Sequence, residues 1–240
     1  MKQPIILLIF LIGSQQAALG QLDKLLNQAK QTVSTPTALS NDEIVNGLKE
    51  ALTNGISKGA DLVSKTDGYF KNPEIKIPFP PEASLAETKL RALGMGSEVD
   101  RFVLALNRGA EDAAKEAKPI FITAIKQMTI TDAMNVLKGQ DDAATQYLQK
   151  TTTAQLKEKF KPVVQASLDK VSATKYYADI VNQYNRIPLV KKVNPDLNAY
   201  ATDMAIKGLF NMIAKEEKSI RKDPAARTSD LLKKVFSNQK

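Results

Sequence analysis

Helical periodicity dominates this chain, and two proline-bounded segments interrupt it. Ser40-Asn41-Asp42-Glu43 has the Ser-x-x-Glu spacing of a capping box, in which two side chains satisfy backbone N–H groups that a helix start leaves unpaired. Behind it Ile44, Leu48, Leu52, Ile56 and Val63 recur at near-helical intervals to about residue 65. The same pattern predicts further helices over roughly 84–93, 97–117, 119–128, 131–138, 141–151, 153–171, 174–186, 196–222 and 224–236. Asn194-Pro195 and Asp223-Pro224 each put a capping side chain before a proline at the first helical position. Leu197, Tyr200, Met204, Gly208, Met212 and Ile220 form one stripe, read as core. Leu231, Leu232, Val235 and Phe236 make the last helix amphipathic, a face that suits either docking on the core, the expected reading, or contact with a membrane.

The interruptions are residues 67–83, with four prolines and alternating Ile75, Ile77 and Phe79, and residues 187–195. Proline lacks an N–H and biases its predecessor away from helix, so both segments are expected to be extended, and to lie side by side as a short two-stranded element. Lys118-Pro119-Ile120 echoes Lys161-Pro162-Val163 at an offset of 43 residues, too little for a repeat architecture, which needs three copies. The fold class expected is mainly α: one multi-helical domain of about nine or ten helices, over 41–240, with two short extended segments.

The chain contains no Cys, no His and no Trp. Disulfides, thiolate nucleophiles, Cys-ligated zinc, imidazole bases and HExxH metal sites are therefore closed to it. Catalysis would fall to carboxylates, Lys, Tyr, Ser/Thr or an oxygen-ligated cation.

Residues 1–20 read as a signal peptide: Lys2, the apolar run Ile5 to Ile12, then Ala18-Leu19-Gly20 with small residues before a cut at Gln21. The apolar run is far short of the ~20 residues of a membrane span. No Cys stands at the cleavage region, which excludes a lipoprotein anchor, and no Asn-x-Ser/Thr sequon occurs. The expected location is the periplasm or the medium, with an N-terminal helix and linker over 21–40. A mature chain of this size buries roughly 70% of its unfolded surface, so it folds without disulfides.

The sequence offers four local candidate sites. Gly94-Met95-Gly96, between two helical patterns, has no phosphate-binding glycine pattern around it and reads as a helix C-cap and turn, with Ser97 capping the next helix. Arg101, Asn107, Arg108 and Glu111 form a polar strip on that helix, read either as the wall of a cleft for an anionic or sugar-like ligand or as a solvated face of ion pairs. Asp141-Asp142 at a helix start fits helix-end electrostatics, and without an EF-hand register no metal site is expected. Glu216-Glu217 point about 100° apart on a helix, which disfavours a paired acid and base acting on one substrate.

The formal charge of +8 divides unevenly. Residues 21–142 carry 15 basic and 17 acidic side chains, and residues 143–240 carry 18 and 9. Lys218, Arg221, Lys222, Arg227, Lys233 and Lys234 are the candidate face for an anionic partner: lipid headgroups, an acidic glycan or an acidic envelope protein. Nucleic acid matches the charge sign without any binding motif and is not expected.

Several runs together resemble a bacterial exported family known as domain of unknown function 4197. They are Ile75-Lys-Ile-Pro-Phe-Pro80, Arg91-Ala-Leu-Gly-Met-Gly96, Asn107-Arg-Gly-Ala-Glu111, Ala117-Lys-Pro-Ile-Phe121, Ala124-Ile-Lys-Gln-Met128, Asp141-Asp-Ala-Ala-Thr-Gln-Tyr147 and residues 223–236. The resemblance implies a single exported, mostly helical domain; it assigns no activity, ligand or cofactor. The expected function is non-enzymatic binding of an anionic or amphiphilic envelope partner, with no cofactor. The alternative is a hydrolase or lyase built on carboxylates with Tyr or Lys.

Overall fold

The computed structural model describes residues 40–186, 188–189, 192–227 and 229–237. The expected leader and most of the N-terminal helix and linker lie outside the described residues, as do Ile187, Val190 and Lys191 and the side chains of Leu231 and Leu232. Nine α-helices run through the described part: α1 Asn41–Val63, α2 Ser84–Ala92, α3 Gly96–Ala114, α4 Ala117–Gln127, α5 Ile130–Lys138, α6 Ala143–Asp169, α7 Ala173–Tyr184, α8 Leu197–Lys222 and α9 Asp230–Ser237. Single 3-10 turns sit at Pro81–Ala83 and Pro224–Ala226. Together they make one all-helical domain.

The capping box forms as its spacing predicts: the Glu43 N–H donates to Ser40 Oγ at 3.2 Å, and the Ser40 N–H donates to Glu43 Oε2 at 2.8 Å. From there α1 buries Val45, Leu48, Leu52, Ile56 and Val63. It packs on α8, the central helix, which also meets α3 and α6. Leu197, Ala201, Ala205 and Leu209 of α8 are fully buried. A Cβ on Gly208 would fall 2.7 Å from Tyr69 Cε1, so glycine is what lets the buried Tyr69 ring lie on α8. The Tyr69 hydroxyl donates to the Ala205 carbonyl at 2.6 Å. The last helix, α9, buries Val235 and Phe236 and packs on α1.

One helix, α6, replaces the two expected over 141–171. Its buried positions include 144, 148, 152, 156, 160, 164 and 168, an unbroken i+4 series that passes through Thr152 and is flanked by buried Thr145 and Ser167. Thr151, Thr152 and Thr153 each turn the hydroxyl back onto the carbonyl four residues earlier, at 2.9, 2.6 and 2.6 Å. The β-branched run is thereby satisfied within the helix. Pro162 lies inside α6, whereas Pro119 stands in the first turn of α4, so the 43-residue echo joins two unlike positions.

No strand occurs among the described residues, and the expected two-stranded element is replaced by two carboxamide clasps. Asn107 Oδ1 accepts the Ile77 N–H, and Asn107 Nδ2 donates to the Ile77 carbonyl, both at 2.8 Å. Asn185 holds Val193 in the same way, with both contacts at 2.8 Å. A side-chain amide thus gives each extended peptide the donor and acceptor a neighbouring strand would supply. Helix starts near prolines also shift. Asp196, not Asn194, caps α8 by accepting the Ala199 N–H, and Asp223 caps a 3-10 turn that ends before α9 begins.

Candidate functional site

The polar strip divides between the core and the surface. Asn107 is fully buried, and its remaining donor contact goes to the Val103 carbonyl at 2.7 Å. Glu111 is 3% exposed; its Oε1 accepts the N–H groups of Tyr69 and Phe70 at 3.1 Å each. Its Oε2 accepts from Arg108, whose other arm reaches Asp67 at 2.7 Å. Asp67 holds a left-handed turn with φ of 69°. Lys71 first, then Arg108, keep its carboxyl below the usual carboxylate range. These three residues pin the irregular segment after α1. Arg101 alone of the four stays on the surface beside a cavity, paired with Glu98 at 3.0 Å.

The tail cations also divide. Arg221 has a side chain only 8% exposed: it donates to the Val136 and Leu137 carbonyls at the end of α5 and to Glu217. Glu217 accepts the Ala144 and Thr145 N–H groups at the start of α6, at 2.9 and 2.8 Å, and the Thr145 hydroxyl at 2.8 Å. One i,i+4 pair on α8 therefore caps two other helices, the carboxylate at an N-terminus and the guanidinium at a C-terminus, as their dipoles favour. Arg227 donates to the Ile220 and Arg221 carbonyls and lies over the Phe236 ring. Lys222 pairs with Asp141 and Lys233 with Asp230, while Lys218 and Lys234 are on the surface. Two of the six cations expected to face a partner are thus turned inward by helix-end carbonyls.

The cavity beside Arg101 holds about 580 Å³ between α2, α3 and the α6–α7 turn. Phe79, Phe102 and Tyr177 form its floor, with ring centroids 4.8 to 6.3 Å apart. Leu90, Val99 and Ile180 line the walls, and Met95, Val171 and Tyr176 stand at the mouth with Glu98, Arg101 and Lys170. Burial, then the nearby Glu82 charge, push the Tyr177 phenol up to about 12, so it stays protonated at neutral pH. The Ser97 hydroxyl, more than Arg101, holds Glu98 below the usual carboxylate range, so it stands at the mouth as an anion. Ser97 was expected to cap α3; it donates to Glu98 Oε2 instead, at 2.8 Å. Gly94, with φ of 81°, closes α2 in a Schellman turn, where Met95 N–H reaches the Leu90 carbonyl at 3.0 Å.

Sequence reasoning reached Arg101 but missed the aromatic floor. The available signals were Phe79 in the alternating 67–83 segment and the adjacent Tyr176-Tyr177, residues that only tertiary packing brings to one α3 face. Among the described residues no group of three or more Asp or Glu side chains converges as metal ligands. No helix there is long and apolar enough to cross a membrane.

No curated protein and no solved structure matches the chain. A family model described as protein of unknown function (DUF4197) matches residues 38–237, which include every helix described above. With that match running from the start of α1 to the end of α9, the chain belongs to the DUF4197 family.

Proposed function

We propose that the protein is a non-enzymatic binding protein for a single-chain amphiphile with an anionic head. The cavity carries this reading: an aromatic and aliphatic interior with Arg101 and Lys170 at its mouth. Its volume falls within the roughly 300–1,000 Å³ of small-molecule sites, which combine apolar walls with a few placed polar groups. The apolar chain lies on Phe79, Phe102 and Tyr177, and the head takes the place of Glu98 on Arg101. The leader pattern at residues 1–20 supports an exported protein, and mass spectrometry of the secreted or periplasmic fraction should find an N-terminus at Gln21.

Calorimetric titration with decanoate and decanol tests the cavity. Replacing Arg101 by Ala removes a charge-assisted hydrogen bond and should weaken decanoate roughly tenfold while leaving decanol within about twofold. Ile180→Trp fills the cavity and should abolish both. Failure of the wild-type protein to bind either compound, or full binding by the Trp variant, would refute the assignment.

A further inference from the structure

We infer that the two turns flanking the cavity mouth form a membrane-docking tip, through which the protein takes its amphiphile from an anionic bilayer. This rests on the reading of the cavity as an amphiphile site. The α2–α3 turn bears Leu93, 77% exposed, and Met95, 42% exposed. Across the mouth, the α6–α7 turn and the first residues of α7 bear Val171 at 40% and Tyr176 at 63%. Apolar side chains bare in water on both lips of one cavity are not the scattered exposure of an ordinary surface.

The shape of the turns supports the same use. A Cβ on Gly94 would meet nothing within 4 Å, so the turn is open to solvent at Gly94. Ser172 holds φ of 53°, which makes the opposite turn tight enough to present Val171 beside the mouth. Charge selects the partner. Among the described residues of these segments, Arg91 and Arg101 are paired with acids and Lys89, Lys170 and Lys175 make no ion pair; Asp169, beside Lys170, is an exposed acid bonded to Gln165, and the lips keep a net positive charge. Lysines around an apolar tip match phosphate headgroups around an acyl layer, and tyrosine suits the boundary between them. A bilayer is also where an amphiphile of low water solubility resides, so the surface that supplies the ligand is the surface this tip fits.

Sedimentation with vesicles of phosphatidylglycerol and phosphatidylcholine, against phosphatidylcholine alone, tests the inference. The wild-type protein should bind the anionic vesicles, and more weakly as salt rises. Leu93→Gln should weaken binding about tenfold, whereas Leu62→Gln, an exposed leucine on α1, should change it less than about twofold. Leu93 does not line the cavity, so decanoate binding in solution should persist in L93Q. Equal binding of both vesicle types, wild-type binding by L93Q, or equal loss in L62Q overturns the tip. Vesicle binding through Leu93 without any uptake of decanoate overturns the cavity reading and leaves the tip standing, so the two failures are separable.

Discussion

Glu216 and Glu217 are neighbours in sequence on α8, and the structure predicts that removing one is costly and removing the other is not. Glu217, 7% exposed, is the acceptor for two buried N–H groups, one buried hydroxyl and the Nε and Nη2 of Arg221. Glu217→Ala orphans the Ala144 and Thr145 N–H groups, at roughly 1–3 kcal/mol each when water cannot replace the acceptor. It also leaves a guanidinium with an 8% exposed side chain without its anion, a class of change that costs about 3–5 kcal/mol. These costs overlap, because the Val136 and Leu137 carbonyls still hold Arg221, so about 4 kcal/mol is expected for the whole. For a domain of this size that is a fall in melting temperature of about 8–16 °C. Glu216, with a side chain 16% exposed, pairs with Lys58, whose side chain is 71% exposed; a pair open to water at one end contributes about 0–1 kcal/mol. Urea unfolding followed by circular dichroism should therefore move the midpoint strongly for E217A and barely for E216A, at unchanged slope. A loss under about 1 kcal/mol in E217A would refute the claim that this carboxylate holds the start of α6 and, through Arg221, the end of α5.

Two further outcomes follow from single contacts. Asn107→Asp keeps the acceptor for the Ile77 N–H but sets an anion against the Ile77 and Val103 carbonyls; a loss of about 2–4 kcal/mol in urea unfolding is expected, and a neutral result would remove the clasp as a source of stability. Burial, then Glu82, push the phenols of Tyr177 and Tyr200 up to about 12, whereas unfolded tyrosine ionises near about 10. Their contribution is complete below pH ~10 and is lost as pH rises toward about 12, because the unfolded chain releases protons that the fold retains. Difference ultraviolet titration of the wild-type protein against Tyr177→Phe and against Tyr200→Phe should show each missing phenolate appearing together with base unfolding; a difference signal near pH ~10 with the fold intact would contradict the packing of that ring.

How much of this was legible in the sequence depends on the range over which each signal acts. The Ser40–Glu43 capping box, the stripe on α8 and the turn at Gly94 are local, and the residues that define them lie within a turn or two of one another. The break placed at Thr152 was an error of local propensity: an i+4 series from Ala144 to Leu168 outweighs three threonines that bond within their own helix. The paired strands failed for a different reason. Proline correctly marked the breaks in helix, but much of 67–83 is hydrogen-bonded turn rather than extended chain, with Lys71, Asn72, Ile75 and Lys76 N–H groups bonded three or four residues back. The partner of each clasped peptide is a side chain, 30 residues away on α3 in one case and 8 residues away in the other, and no periodicity encodes that. The inward turn of Arg221 is likewise invisible, since it depends on where the end of α5 and the start of α6 meet α8.

The polar strip and the cavity are parts of one device, though only Arg101 belongs to both. Glu111 holds the backbone at Tyr69 and Phe70, and Asn107 holds it at Ile77, so α3 grips both ends of the segment that follows α1. Two residues beyond the clasped peptide comes Phe79, whose ring meets Phe102 of α3 and Tyr177 of α7. The buried amide and carboxylate therefore set where the cavity floor lies without lining the cavity themselves. Residues whose polarity suggests a ligand-binding face hold backbone by the contacts above, and the cavity is lined by side chains whose aromatic and aliphatic character gives no such sign.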